Sequence, residues 1–404
     1  MTAKGSSRFK SGRVWLVTLA ALLALGGCAD KTGWVPVSNP GLMAWSDDGD
    51  RAGLEFAVLQ SIQYYRKIPP ATKFQIGPDT YTAEEMALSL ELFLAILRES
   101  PDTATFQARL GQKFKVVETR REEGDNLLTG YYAPSIPGSR KPTAEFNTPL
   151  LARPDNLLVV DLEKFGVETT PRRSLVGRVE GNRITPFFTR KEIQEKNVLK
   201  DQAKVLAWVR PLDLYFLQIQ GSGVIQFPDG SRLVAGYDVS NGHPYRNIGQ
   251  VLINREVITR EEMSMQAIRA YLEANPKQMH GILNKNPSYV FFRELKGSPL
   301  GNIQVPLTPL RSVAMDDKLI PKGALVYVDT EVPSPNAPDQ RPRMRRFMLI
   351  QDTGGAIRGH GRADVYWGEG DQAELMAGHM RHPGRLFVVV ARREYLKPSV
   401  VHNP

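Results

Sequence analysis

The feature that most constrains this chain is a change of periodicity. From about residue 300 onward there is hardly any helical period, except near Gln372–Met380. Short runs rich in β-branched and aromatic residues recur instead, at Leu325–Val328, Phe347–Ile350 and Leu386–Val390, with Gly, Pro or Asp close by. Such runs predict strands. Their succession without intervening helices argues against a parallel βαβ sheet and predicts a compact barrel or sandwich. Two earlier runs, Phe114–Thr119 and Tyr215–Gln220, also read as strands. Helices are expected at Leu54–Arg66 and after three capping boxes, Thr82-x-x-Glu85, Thr189-x-x-Glu192 and Thr259-x-x-Glu262, the last opening a helix that ends near Asn275-Pro276. Met86, Leu90, Phe93, Leu94 and Leu97 form one apolar stripe on the helix from Thr82. No internal repeat is present.

The formal charge of +9 invites a search for a nucleic-acid partner, but four of the nine charges, Lys4, Arg8, Lys10 and Arg13, precede one apolar run. The remaining +5 is no polyanion-binding signature, and no nucleic acid is expected. With 42% hydrophobic and 24% charged residues, the chain is neither disordered nor fibrous. Val14–Leu25 is about a dozen apolar residues, too short to span a bilayer but suited to an export signal. Leu25-Gly26-Gly27-Cys28 resembles a lipobox, with cleavage before Cys28 and lipidation of its thiol. The alternative is an ordinary signal cut elsewhere, with Cys28 incidental. Cys28 is the only cysteine, so neither an internal disulfide nor a Cys-based zinc site is possible. Asp30 rather than residue 29 is acidic, which favours the outer membrane and its periplasmic face. Residues 31–50, rich in Gly, Pro, Ser and Asp, read as a tether. The Pro333–Pro338 patch with Arg341–Arg346 reads as a solvated hairpin loop; contact with an anionic polymer is the other reading.

The six histidines show no metalloprotease spacing. His379 and His382 lack an acidic partner at ligand spacing, so no metal is expected. Gly221-Ser222-Gly223 fits neither a nucleotide loop nor a nucleophile elbow, and a tight turn between Ile219 and Val224 is favoured. Two stretches point to chemistry. Gln351–Gly359 leaves the strand Phe347–Ile350 and is followed by Asp364–Gly370, with glycines at 354, 355, 359, 361, 368 and 370 and with Asp352 and Asp364 on either side of the turn. Met315–Gly323 is a charged turn carrying Asp316 and Asp317. Strand-edge carboxylates converging on a groove suit acid/base work on a sugar, because crowding and burial raise the pKa of one of them until it can donate a proton. The competing reading is that Asp352 and Asp316 merely cap turns.

These stretches resemble the 3D domain, named for three aspartates, and more closely the family of membrane-bound lytic transglycosylase A. The matching segments, in chain order, are Thr129–Tyr132, Tyr215–Gly223, Asn286–Phe292, Ala314-Met315-Asp316 with Ile320-Pro321 and Gly323, Asp352–Ile357 with Gly359, and Asp364, Tyr366, Gly368 and Gly370. Asp317 stands where such turns commonly carry proline. The resemblance spans roughly 50–395 and implies a mainly β fold: a double-psi β-barrel with an inserted second β-rich domain and a groove between them. It divides the chain into a lipoprotein signal peptide at 1–27, a tether at 28–50, a catalytic barrel from 51–130 and 291–404, and a substrate-binding insert at 131–290.

The implied reaction is that of a lytic exotransglycosylase, a cofactor-free lyase in cell-wall remodelling. It cleaves the β-1,4 bond between N-acetylmuramic acid and N-acetylglucosamine in peptidoglycan and leaves 1,6-anhydro ends. By position, Asp364 matches the acid/base, and Asp352 and Asp316 match the two supporting acids. Thr129, Gly130, Tyr131, Gln218, Gln220, Gly221, Ser222, Gly354, Gly355, Tyr366 and Trp367 are expected against the glycan. The implied partners are glycan strands, the outer membrane through Cys28 and wall-synthesis enzymes. Two rivals stay open: a hydrolase using Asp364 with Asp352 as a pair, and a non-catalytic wall-binding module.

Overall fold

The computed structural model describes residues 33–38, 45–167, 174–260, 262–334, 337 and 340–396. Cys28 and the apolar run before it lie outside the described residues. Among those residues no helix is long and apolar enough to cross a membrane.

Side chains close the ends of the first helices. Asp50 accepts from the Ala52 and Gly53 amides at 3.2 and 2.6 Å and starts Arg51–Lys67. At Thr82 the expected box is complete: Thr82 Oγ1 accepts from the Glu85 amide at 3.2 Å, and the Glu85 carboxylate accepts from the Thr82 amide at 2.8 Å. A cap of this kind contributes about 1 kcal/mol, and the helix Ala83–Glu99 follows. Its stripe of Met86, Leu90, Phe93 and Leu94 is buried. Phe93 meets Phe347 at 5.2 Å between ring centroids, which fastens the helix to the sheet beneath.

That sheet has eight strands, in the order Trp34–Pro36, Phe114–Thr119, Arg381–Ala391, Leu325–Glu331, Arg343–Asp352, Ser312–Met315, Arg362–Glu369 and Leu127–Ala133. Arg381–Pro383 also pairs with Leu127–Thr129, so six of the strands close into a ring. Two of its pairings are parallel, Ser312–Met315 with Arg343–Asp352 and Arg362–Glu369 with Leu127–Ala133. Closure explains why the strands read as unbroken apolar runs. Residues of one face fill the barrel and those of the other are covered by the helices, so Phe347, Met348, Leu349 and Ile350 are all fully buried.

Parts of the expected tether belong to this barrel. Trp34–Pro36 pairs with Val117–Thr119, and Trp45 is buried against Tyr327 with ring centroids 4.9 Å apart. Arg311 holds the Asp47 carboxylate through both terminal nitrogens at 2.7 Å, across 264 positions of sequence. Composition conceals such a contact because its partner is remote. The basic patch is corrected as well. Arg343–Arg346 lies in a strand, not a loop, and Arg343 and Arg345 pair with Asp329 while Arg346 pairs with Asp48.

The second domain is built on a four-stranded sheet, Val290–Leu295, Arg232–Ser240, Ser222–Gln226 and Ser135–Pro137, with a core that includes Ile136, Leu217, Ile225 and Phe292. The described residues are thus mainly β in two domains. Both expected boundaries fall inside strands: 130/131 within Leu127–Ala133 of the barrel and 290/291 within Val290–Leu295 of the second sheet. Tyr215–Gln220 is not a strand but the end of the helix Pro211–Gln220. Leu214 and Leu217 face one core and Tyr215 and Phe216 another, so burial on both sides erases the periodicity that separates helix from strand. Gly221 closes this helix in the left-handed conformation at φ +84, and Ser222 begins a strand, so Gly221–Gly223 is a helix-to-strand junction. Thr259 and Glu262 do bond to each other, but the helix starts later, at Met265, with Ser264 as its cap.

Candidate active site

Asp364 lies on Arg362–Glu369, opposite Thr129 on the parallel neighbour and Ala314 on the antiparallel one. Side chains alternate along a strand, so Arg362, Asp364 and Tyr366 share one face, and Ala363, Val365 and Trp367 share the other. Thr129 Oγ1 donates to Asp364 Oδ1 at 2.6 Å. Asp364 is partly buried. Burial pushes its carboxyl above the ordinary range, against the opposing pull of the Arg362 charge and the Thr129 hydrogen bond.

Asp352 ends the neighbouring strand and accepts from the Thr353 and Asn302 amides at 2.9 and 3.0 Å. Burial outweighs those bonds, and with the Asp364 charge it pushes the carboxyl up to about 6. The charge of Asp364 is therefore felt at Asp352, whereas the Asp364 carboxyl is raised by burial. The buried Tyr131 hydroxyl sits close enough to Asp352 to favour its carboxylate form, but it makes no hydrogen bond of good geometry among the described residues.

Asp316 does different work. Its carboxylate accepts from the Lys318 and Gly359 amides at 3.2 and 2.9 Å, which ties the turn after Ser312–Met315 to the loop after Asp352. Asp317 pairs with Lys322 at 3.5 Å, so the structure separates the two adjacent acids. That loop needs glycine at Gly361, where φ is +66 and a Cβ would lie 2.1 Å from Asn126 Oδ1.

The remaining expected glycan contacts divide in two. Gly354 and Gly355 lie on the accessible loop just beyond Asp352. Gly130 is a packing position, where a Cβ would meet Trp367 Nε1 at 2.6 Å and Ala377 Cα at 2.8 Å. Trp367 faces that side too, its Nε1 donating to Met380 Sδ at 3.3 Å, away from Asp364. Tyr366 and Tyr131 are buried against each other at 5.2 Å. Gln218 is buried and bridges Arg190 Nη1 at 2.6 Å to the Val290 carbonyl at 3.0 Å. Gln220 accepts from the Tyr132 amide at 3.2 Å, Gly221 caps a helix and Ser222 is buried. Tyr131, Tyr366, Gln218 and Ser222 are buried, while Trp367, Gln220 and Gly221 stay partly accessible. Motif matching misses the Asn302 amide, since a backbone donor has no residue signature, and Arg362, whose charge matters only through its place beside Asp364. No cluster of metal-ligating side chains occurs among the described residues.

Thr129→Val removes a bond that stabilises the Asp364 carboxylate, so the Asp364 pKa should rise. If protonated Asp364 starts the reaction, the alkaline limb of the kcat/KM profile moves to higher pH in this variant. An unmoved or lowered limb contradicts that role.

Residues 127–293 match the MltA specific insert domain, and residues 311–390 match the 3D domain. The chain is 34% identical over 301 residues to the membrane-bound lytic murein transglycosylase A of Escherichia coli K12, covering 72% of this chain and 73% of that protein. Among solved structures, the membrane-bound lytic murein transglycosylase from Agrobacterium tumefaciens superposes with a TM-score of 0.74 at 27% identity, over 90% of this chain and 100% of that one. E. coli MltA with bound chitohexaose gives 0.66 at 25% identity, over 89% and 94%. Two domain matches in the right order, a relative similar over most of both chains and a shared two-domain fold leave one conclusion: the chain belongs to the membrane-bound lytic murein transglycosylase A family.

Proposed function

We propose that this protein is a peptidoglycan lytic transglycosylase that cleaves the β-1,4 bond between N-acetylmuramic acid and N-acetylglucosamine and leaves a 1,6-anhydro end. The observation that carries this reading is Asp364, a partly buried acid with a raised pKa, oriented by Thr129 and with its charge felt at Asp352. Asp364 gives its proton to the glycosidic oxygen as the bond to C1 breaks. Its carboxylate then takes the proton of the C6 hydroxyl as that oxygen bonds to C1. No water is added, and the acid is regenerated. The nucleophile is tethered to the reacting sugar, so one carboxyl serves where hydrolysis needs two. With a pKa of about 6, Asp352 is mostly ionised at neutral pH. Burial keeps the proton on Asp364, and the Asp352 carboxylate stabilises positive charge developing at C1. Asp316 supports the site at one remove by holding the loop.

The glycan runs along the barrel face that carries Asp364 toward the second domain, and the chitohexaose bound by the E. coli relative supports a glycan groove in this fold. The curated relative is named membrane-bound, and we assign membrane attachment here to a lipid on Cys28 at the periplasmic face of the outer membrane, beside the wall-synthesis enzymes.

Incubation with peptidoglycan sacculi followed by mass spectrometry tests the reaction. Anhydro products are lighter by one water than reducing ends. Reducing ends as the main product overturn the lyase in favour of a hydrolase, and binding without soluble fragments overturns catalysis altogether.

A further inference from the structure

Around Asp364 lies a group of cations that the acid/base mechanism does not use. Arg362 is two residues away on the same face of the same strand. Arg381 is paired across from Thr129, which is itself paired across from Asp364. Residues opposite each other in a ladder share a face, so Arg362 and Arg381 share the face of the acid, one two residues along its strand and the other two strands away. Arg121, on the loop before Leu127–Ala133, is a third, its amide nitrogen 2.6 Å from where a Cβ on Gly361 would stand, next to Arg362. Most arginines of this barrel have carboxylate partners: Arg311 with Asp47, Arg343 and Arg345 with Asp329, Arg385 with Glu118, Arg393 with Glu85. These three have no ion pair among the described residues. Arg121 Nη1 donates only to the Asp125 carbonyl at 3.2 Å, and Arg362 Nη1 only to the carbonyls of Leu127 and Ala363 at 3.3 and 2.7 Å. Arg121 and Arg381 are exposed and Arg362 is partly so.

Burial opposes the Arg362 charge, the Asp364 carboxylate favours it, and Arg121 and Arg381 add repulsion, with one acid shared among three cations. An anionic ligand relieves that repulsion. A neutral polymer of N-acetylglucosamine offers none, whereas the muramoyl sugar carries carboxylates, either the lactyl group in peptide-free strands or those of the stem peptide.

We propose that Arg121, Arg362 and Arg381 form a carboxylate-recognition site for the muramoyl substituent next to the scissile bond, which distinguishes peptidoglycan from neutral glycans. This rests on the reaction assigned above and names the part of the substrate that the barrel face reads. A bound carboxylate also offsets the Arg362 charge that pulls the Asp364 pKa down, so the substrate helps to keep its own acid protonated.

The test uses the full chain and the doubly substituted Arg121→Gln, Arg381→Gln protein, both positions being exposed. Arg362 is left intact because it also braces the backbone. Four probes are compared: stem-bearing glycan strands, peptide-free strands, peptide-free strands with the lactyl carboxylate converted to an amide, and chitohexaose. Binding is measured for all four, and kcat/KM for the first three. Binding and kcat/KM should fall about tenfold on carboxylate-bearing strands, the scale of one charge-assisted hydrogen bond near the surface, with less than about twofold change on amidated strands or chitohexaose. A fall confined to stem-bearing strands identifies the stem carboxylate, and one confined to peptide-free strands identifies the lactyl group. An equal fall on all four probes, or none on any, overturns the proposal. If the unsubstituted protein releases no anhydro product, the assigned reaction fails, while the binding comparison still decides for or against the arginine site.

Discussion

Asp364→Asn protein is expected to release anhydro-muropeptides about 10⁴-fold more slowly than the unsubstituted chain, the upper end of what a positioned acid/base contributes. The loss sits at that end because the same carboxyl acts twice, first as acid and then as base. Asparagine keeps the size of the side chain and an oxygen to accept from Thr129 Oγ1, now at 2.6 Å, so the strand and its register should survive. It supplies neither an acidic proton nor a base. Single-turnover release from sacculi, with circular dichroism to confirm folding, is the measurement. Full activity in this variant sinks the assignment, and activity that survives here but vanishes in Asp352→Asn moves the proton-transfer role to Asp352. The pH profile gives a second check. Protonated Asp364 is the starting form, so the rate should fall as pH rises through its raised pKa. The falling limb should lie above the ordinary carboxylate range.

The second large effect is on stability. Asp47→Ala is expected to cost about 3 kcal/mol, the lower end of the range for removing one partner of a buried ion pair, since the Asp47 side chain keeps 18% of its surface exposed. Arg311 is 2% exposed. Besides the two bonds to Asp47, it donates to the Phe347 carbonyl at 2.9 Å and the Asp50 carbonyl at 2.6 Å. Asp47 Oδ2 also accepts from the Phe347 amide at 2.8 Å. Without Asp47 the guanidinium keeps its charge but has only carbonyl dipoles, and a strand amide loses its acceptor. Against a typical total of about 5–15 kcal/mol, the denaturation midpoint should fall markedly. Pairing the change with Arg311→Met removes the stranded charge and should recover part of the loss. A shift below about 1 kcal/mol in urea denaturation contradicts this account.

The readability of the sequence followed the range of the interactions. The Thr82 and Thr189 boxes were legible because each cap joins residues three apart. The strands around Val326, Leu349 and Val388 were legible from their β-branched runs. Tyr215–Gln220 was misread because a short apolar run buried on both sides has no visible period, and the Thr259 box was misplaced because Ser264 offers an equally local cap five residues on. At the site, Asp352 and Asp364 stood out by motif, but the faces of their strands did not. The same alternation that points Asp364 outward turns Trp367 and Gly130 toward the helix Asp371–His379.

By itself the sequence determined the class of the fold, the family pattern and the acids proposed to carry the chemistry, because these depend on residue type, short spacing and order along the chain. Only the tertiary structure decided that the Asp364 charge is felt at Asp352 while Asp316 braces a loop, that Asp47 and Trp45 belong to the barrel, and that three arginines without an ion pair among the described residues lie on the side of the acid. Those outcomes depend on burial and on charges brought together from remote parts of the chain, and both quantities exist only once the six-stranded ring has closed.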